Sequence, residues 1–237
     1  VNQGTPAGEA PAKGHAIVSE RELVTTLFDL GRQVTAVLDF EELLHKIPLL
    51  IRRLISFEAF AVYLLDERRH ELRVAYSVGY PVGDAPQVLR LGQGLVGAAV
   101  STGEPLLVND LKADPRYVEF VEGMNSEIVV PLMHKSRPIG ALNILSHNRD
   151  QFTQGDVSIV RQFGAHVAVA LVNARLYERS RFDAEAFETL ADIGRDVASI
   201  LDLDELLTRI AQLAKKLIEY RTFGLFLLTD DNELEIK

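Results

Sequence analysis

Apolar residues recur at steps of three and four through Leu23, Leu27, Leu30, Val34 and Val37, which predicts a helix over 20–38. Asp39, with Glu42 three residues on, has the form of a capping box that opens a second helix running to about Ile55. Pro48 falls inside that helix, where the missing N–H and the ring should kink it or cost about 3 kcal/mol. The pattern then changes to short apolar runs divided by polar turns. FEAFAVYLLD (57–66) and ELRVAYSVGY (71–80) predict one β-hairpin, and EIVVPLMH (127–134) with IGALNILSH (139–147) a second. Between them lie a short strand at 87–91, a short helix at 95–103 ended by Gly103, an extended piece at 105–110, and a polar loop over 111–125 with one helical turn at most. Helical spacing returns at Asp156, and no proline interrupts it to about residue 200, some 45 residues or ~65 Å at ~1.5 Å per residue. Helices, hairpin, short elements, hairpin, helix together predict an α+β fold, a central antiparallel sheet with helices packed on it.

The chain also repeats itself. LFDLGRQVTAVLDFEELLHKIPLLIRRLISFEAFAVYLL (27–65) aligns without a gap on LADIGRDVASILDLDELLTRIAQLAKKLIEYRTFGLFLL (190–228), and 17 of the 39 positions are identical. That density marks an internal repeat. It predicts a linker over 1–18, a complete unit over 19–178, a connecting helix over 179–203, and over 204–237 the opening of a second unit, cut short at Lys237. In that opening Phe223, Leu225 and Leu227 alternate with Gly224, Phe226 and Leu228, so a strand there is apolar on both faces. It is expected to pair with the same segment of a partner chain or to be held by helices over 185–219.

Composition narrows the chemistry. Apolar residues at 47% and charged residues at 25% are those of a globular chain. With 25 basic and 34 acidic residues the net charge is −9, and no basic cluster exceeds a pair, so nucleic acid is a poor partner. The absence of cysteine excludes disulfides, thiolate zinc sites, cysteine nucleophiles and thioether-linked cofactors. Apolar runs of about six residues fall far short of the ~20 that span a bilayer, and no charged-then-apolar leader opens the sequence. A cytoplasmic piece of a longer protein, not bound to a membrane, is expected.

Few motifs point to a reaction. Gly92, Gly94 and Gly97 match G-x-G-x-x-G after a strand, but the helix that follows is short and Asp110 comes too early to serve as the ribose-binding acid. A tight turn that needs glycine backbone angles is the expected reading. The six histidines (His15, His45, His70, His134, His147 and His166) never fall three or four apart, and no metal site is expected. Glu41-Glu42 and Asp204-Glu205 lie in first helical turns, where they favour the helix dipole. No catalytic set stands out, so an enzyme is not expected.

Three phrases, in order, carry a resemblance: LGQGLVGAAVSTGEPLLVNDLKADPRY (91–117), SEIVVPLMHKSRPIGALNIL (126–145) and QFTQGDVSIVRQFGAHVAVALVNARLYE (151–178). They resemble a GAF domain, and the second copy resembles the start of another. The resemblance implies a central antiparallel sheet with helices on one face and a ligand pocket or loops on the other. It also implies a sensory region of a bacterial signalling protein, whose output module (a sigma-factor-regulating serine phosphatase, a histidine kinase or a cyclic-nucleotide enzyme) is absent from this chain. A bilin held through cysteine and the family's methionine-sulfoxide reductase chemistry both lack their cysteines. No close match to the Asn-Lys-Phe-Asp-Glu motif of cyclic-nucleotide GAF domains occurs around 140–160. His166 lies on the helix where some GAF domains carry a haem ligand, and a helix-face or dimer-seam histidine is the plainer reading.

Asn109 and Asp110 either cap a helical turn or face a small-molecule ligand from the loop that closes the pocket. Arg116, Tyr117 and Ser126, in or beside the same loop, are the further candidate ligand contacts, with a surface loop as the alternative. The ligand and any cofactor stay unknown. The long helix carries a stripe with steps near 3.5 through Val160, Val167, Leu171 and Ala174, which is expected to form the seam of a homodimer together with the helix over 20–38. A monomer whose stripe packs within the chain is the alternative. Function is expected to be sensing through that dimeric helix, or else structural dimerisation without a ligand.

Overall fold

The computed structural model describes residues 20–80, 88–198, 203–217, 224, 226–228 and 234–236. The linker expected over 1–18, and Phe223 and Leu225 of the expected final strand, lie outside the described residues. The chain divides between Tyr177 and Glu178 into two compact units.

The first unit opens with α1 (Glu20–Thr35) and α2 (Phe40–Ile51). Asp39 caps α2 as its spacing predicts, its carboxylate accepting from the Glu42 N–H at 2.8 Å. The helix runs on through Pro48, which sits buried in its last turn and carries no N–H for the ladder bond to the Leu44 carbonyl. Then come β1 (Ala59–Asp66), β2 (Glu71–Val78), β3 (Val88–Arg90), α3 (Gly94–Thr102), β4 (Leu106–Val108), a single 3-10 turn (Leu111–Ala113), β5 (Ser126–His134), β6 (Arg137–Ser146) and α4 (Gln154–Ala198). The six strands form one sheet in the order β3-β2-β1-β6-β5-β4, every neighbouring pair antiparallel.

Period-two alternation sorts the strands onto two unlike faces. One face carries Phe60 and Val62 of β1, Ile128, Val130 and Leu132 of β5, and Leu142 and Ile144 of β6, all bulky and buried. Onto it pack Leu27, Leu30 and Val34 of α1, Leu43, Leu44 and Ile47 of α2, and Val160, Phe163, Val167, Leu171 and Ala174 of α4. A side chain of this kind, fully buried, contributes roughly 1.5–3 kcal/mol. The opposite face carries Ala59, Ala61 and Tyr63 of β1, Val129 of β5, and Ala141 and Leu145 of β6. It is covered by α3, through Leu95, Val96, Ala99 and Val100, and by Leu111, Val121 and Met124 of the following loop. Alanines under that cover leave room that the first face does not have.

The first core corrects one expectation. Val160, Val167, Leu171 and Ala174, assigned to a dimer seam, are 0–1% exposed within their own chain and packed in the helix-side core. A stripe at helical spacing shows only that something covers it, and here the domain's own sheet does. By length and composition alone the Gln154–Asp192 part of α4 could cross a bilayer, but half of its most apolar stretch is already buried in the protein. The helix start is fixed by reciprocal capping: the Thr153 N–H donates to the Asp156 carboxylate at 2.8 Å, and the Asp156 N–H to the Thr153 hydroxyl at 3.2 Å.

The second unit contains the end of α4, α5 (Leu203–Leu217), β7 (Phe226–Leu228) and β8 (Leu234–Ile236). Its elements echo the first. The described parts of α4 and α5 fall on the positions that α1 and α2 occupy 163 residues earlier. β7 pairs antiparallel with β8. The registers match too: Leu228↔Leu234 and Phe226↔Ile236 take the places of Leu65↔Leu72 and Tyr63↔Val74, across a turn one residue shorter.

Candidate functional site

Glycines set up the entrance to the alanine-rich face. After β3 the chain reverses through Gly92 and Gly94, both at positive φ (83° and 66°), where non-glycine side chains are strained. Gly97 lies in the first turn of α3, and a Cβ there would stand 2.6 Å from the Arg90 carbonyl oxygen. The three glycines thus fold a tight turn, closed by the Gly92 N–H donating to the Gly97 carbonyl at 3.0 Å.

Beneath this turn the sheet carries a small enclosed cavity of about 30 Å3. Three neighbouring strands floor it with polar groups: Tyr63 from β1, Asn143 from β6 and Glu127 from β5. Alignment follows from register, with Ala61, Asn143 and Val129 side by side and Glu127 opposite Leu145. Tyr80, just after β2, and Tyr117 and Phe120, from the loop after the 3-10 turn, complete the walls. An open surface groove also lies at Leu64–Arg68 with Arg73 and Arg175.

The cavity is electrostatically uneven. Glu127 is 4% exposed, and burial, with Asp114 nearby adding repulsion, pushes its carboxyl up to about 8 against the opposing effect of a hydrogen bond from Asn143. Asn143 Nδ2 also donates to the Tyr80 hydroxyl at 3.3 Å. Its Oδ1, and the Tyr117 hydroxyl, are buried without a hydrogen-bond partner among the described residues. Burial raises Tyr117 to about 12, and raises Tyr63 and Tyr80 further, so all three phenols stay neutral. Partnerless buried polar atoms are rare enough to mark a place where something else binds.

Of the five residues expected to contact a ligand, Tyr117 lines this cavity and the other four do not. Asn109 donates through Nδ2 to the Phe152 carbonyl at 3.0 Å, tying β4 to the segment before α4. Asp110 Oδ1 lies 3.4 Å from Arg149 without hydrogen-bond geometry. It makes no side-chain cap on the 3-10 turn, so the capping expectation fails there. Arg116 is turned back onto Asp114 by bonds of 3.0 and 2.7 Å at the surface. Ser126, fully buried, donates to the Asn148 carbonyl at 2.7 Å and pins the two ends of the β5–β6 hairpin.

Sequence reasoning passed over Tyr63, Tyr80, Glu127 and Asn143. A signal was present: a carboxylate and an amide inside two otherwise apolar strand runs, on the same sheet face. His166 lies away from the cavity, its ring against Gly31 of α1. Among the described residues no cluster of histidine and carboxylate side chains is placed to hold a metal ion.

A family model described as GAF domain matches residues 37–172. The chain is 20% identical over 195 residues to a probable 3′,5′-cyclic phosphodiesterase, pde-5, of Caenorhabditis elegans, covering 75% of this chain and 26% of that protein. It is 24% identical over 171 residues to a formate hydrogenlyase transcriptional activator of Salmonella typhimurium, covering 67% and 24%. The chain thus spans about a quarter of the length of these curated relatives. Among solved structures it is similar to a free methionine-R-sulfoxide reductase from Neisseria meningitidis in complex with its substrate, with a TM-score of 0.60 at 24% identity, covering 68% of this chain and 96% of that one.

Proposed function

The chain belongs to the GAF domain family, and from that membership we propose that it is the sensory part of a signalling protein, binding a small molecule in the cavity under the Gly92–Gly97 turn. Domains of this family are sensory and regulatory modules of signalling proteins, a phosphodiesterase and a transcriptional activator among the relatives. The observation that carries the reading is a pair of buried polar atoms without a hydrogen-bond partner among the described residues, Tyr117 Oη and Asn143 Oδ1, beside a buried carboxyl in one cavity. A bound molecule satisfies all three. The reading is non-enzymatic: the thiol chemistry of the reductase relatives has no cysteine to run on here.

The repeated sequence and the hairpin register of the second unit support reading Glu178–Lys237 as the opening elements of a second GAF domain. In this proposal two chains associate through α1 and α4, and ligand binding shifts the paired helices, which an output module of the longer protein reads.

The small cavity favours one rival, a scaffold whose interior is filled by its own side chains. Substituting Asn143→Leu separates the two. In a sensor it abolishes a saturable rise in unfolding midpoint given by small molecules extracted from the native protein. If no extracted molecule raises the midpoint and the leucine variant is simply more stable, the cavity is core and the sensory reading fails.

A further inference from the structure

Resting on the sensory reading, we infer the chemical class of the ligand: the cavity is built for a small organic cation, a protonated amine of one or two carbons.

The argument starts from what is missing opposite Glu127. Its carboxyl is buried, and no lysine, arginine or histidine is among the residues that wall the cavity. The nearest charge that acts on it is Asp114, of the same sign. The one arginine in the covering loop, Arg116, is committed to Asp114 through two hydrogen bonds at the surface. Once ionised, this buried acid has no counter-charge among the described wall residues, so a cation from outside stabilises it.

The neutral groups agree in polarity. Asn143 spends Nδ2 on Glu127 and on the Tyr80 hydroxyl, so its atom without a partner among the described residues is the carbonyl oxygen, an acceptor. The Tyr117 oxygen is free to accept as well. An ammonium group carries three N–H donors and no acceptor. Carboxylate, amide oxygen and phenol oxygen are a matching set of three. Around them stand the rings of Tyr63, Tyr80 and Phe120, apolar surfaces that tolerate a cation through the ring quadrupole. Among the described residues an anion meets no positive group in these walls, and a volume of about 30 Å3 suits a small ligand such as an amine of one or two carbons.

The site is also proton-linked. Tyr63, Tyr80 and Tyr117 face Glu127 as neutral phenols, and Asp114 stays ionised because Arg116 holds it below the usual carboxylate range. Glu127 is therefore the group that titrates between pH 6 and 9. In the empty cavity at neutral pH it is protonated, and a cation enters by displacing that proton.

The test is a titration of the isotope-labelled full chain with methylammonium chloride, followed by backbone amide shifts, with potassium chloride as salt control and sodium acetate as the anion arm. Saturable shifts at residues 94–96, 117–121, 127 and 143 are expected with methylammonium alone. Affinity should be roughly tenfold or more weaker at pH 6.5 than at pH 8.5, following the ionised fraction of Glu127. Glu127→Gln should lose binding, and Tyr117→Phe, which removes only the partnerless oxygen, should weaken it several-fold. The spectra report whether each variant is folded, and Tyr117→Phe carries the test if Glu127→Gln is not. Saturable acetate binding in place of methylammonium overturns the cation inference and leaves the sensory reading standing. Methylammonium binding that Glu127→Gln and Tyr117→Phe leave unchanged overturns the inference too. Silence to both probes overturns it as well, and a more stable Asn143→Leu variant that no extract stabilises then removes the sensory reading with it.

Discussion

Gly31 of α1 lies directly against the imidazole of His166 of α4: a Cβ placed on Gly31 would stand 2.8 Å from His166 Cγ and Cδ2 and 2.9 Å from Cε1. Contact with three ring atoms at once means that the ring covers the glycine broadly and does not merely touch it with an edge. The crossing of α1 over α4 is as close as it is because position 31 has no side chain.

This contact fixes the sign of a mutation. Gly31→Ala gains about 0.5–1 kcal/mol of helix propensity yet forces the ring aside. The expected result is a net loss of stability of about 1 kcal/mol in the native background. With His166→Ala already present, Gly31→Ala should instead stabilise. Urea unfolding of the four members of that cycle measures the coupling, and additivity would show that the ring moves freely.

Glu127 predicts an unusual pH dependence. Its folded value near 8 lies above the ordinary 4.5, so between those values the folded chain binds more protons than the unfolded one. The stability it contributes is full below about pH 4.5 and is lost as pH rises through 8. The loss amounts to a few kcal/mol. Glu127→Gln should remove this slope and be the more stable protein at pH 8. Urea midpoints from pH 5 to 9 check it, and parallel curves for the two proteins would contradict the buried acid. A bound cation should restore the lost stability at high pH.

The order of elements was readable because period and caps are local. Asp39–Glu42 and the change from steps of three and four to steps of two needed no tertiary information. The cavity was harder for a physical reason. In the loop, polar residues such as Arg116 and Ser126 attract attention by type, yet they spend their hydrogen bonds on Asp114 and on the Asn148 backbone. The groups that wall the cavity sit within β-strands, and only strand register brings Asn143 and Glu127 together with Tyr63. The helix stripe failed differently: periodicity says that Val167 and Leu171 are covered and is silent on whether a sheet or a second chain covers them.

That distinction leads to the oligomer prediction. With the inner stripe consumed, the residues left for a partner are on other faces of the same helices: Val24 and Phe28 of α1, four apart, and Val169 and Leu176 of α4, seven apart, all exposed. Spacings of four and seven keep each pair on one helix face. In the second unit α4 exposes Phe182, Phe187 and Leu190 as well. Leu176→Asp with Val169→Asp should therefore halve the mass seen by light scattering while leaving the unfolding midpoint of the first unit nearly unchanged. Leu171→Ala, by contrast, deletes core side chain and should cost about 2–5 kcal/mol without acting first on association. A wild-type mass of one chain at every concentration would rule the helix-paired dimer out, and with it the relay through α4.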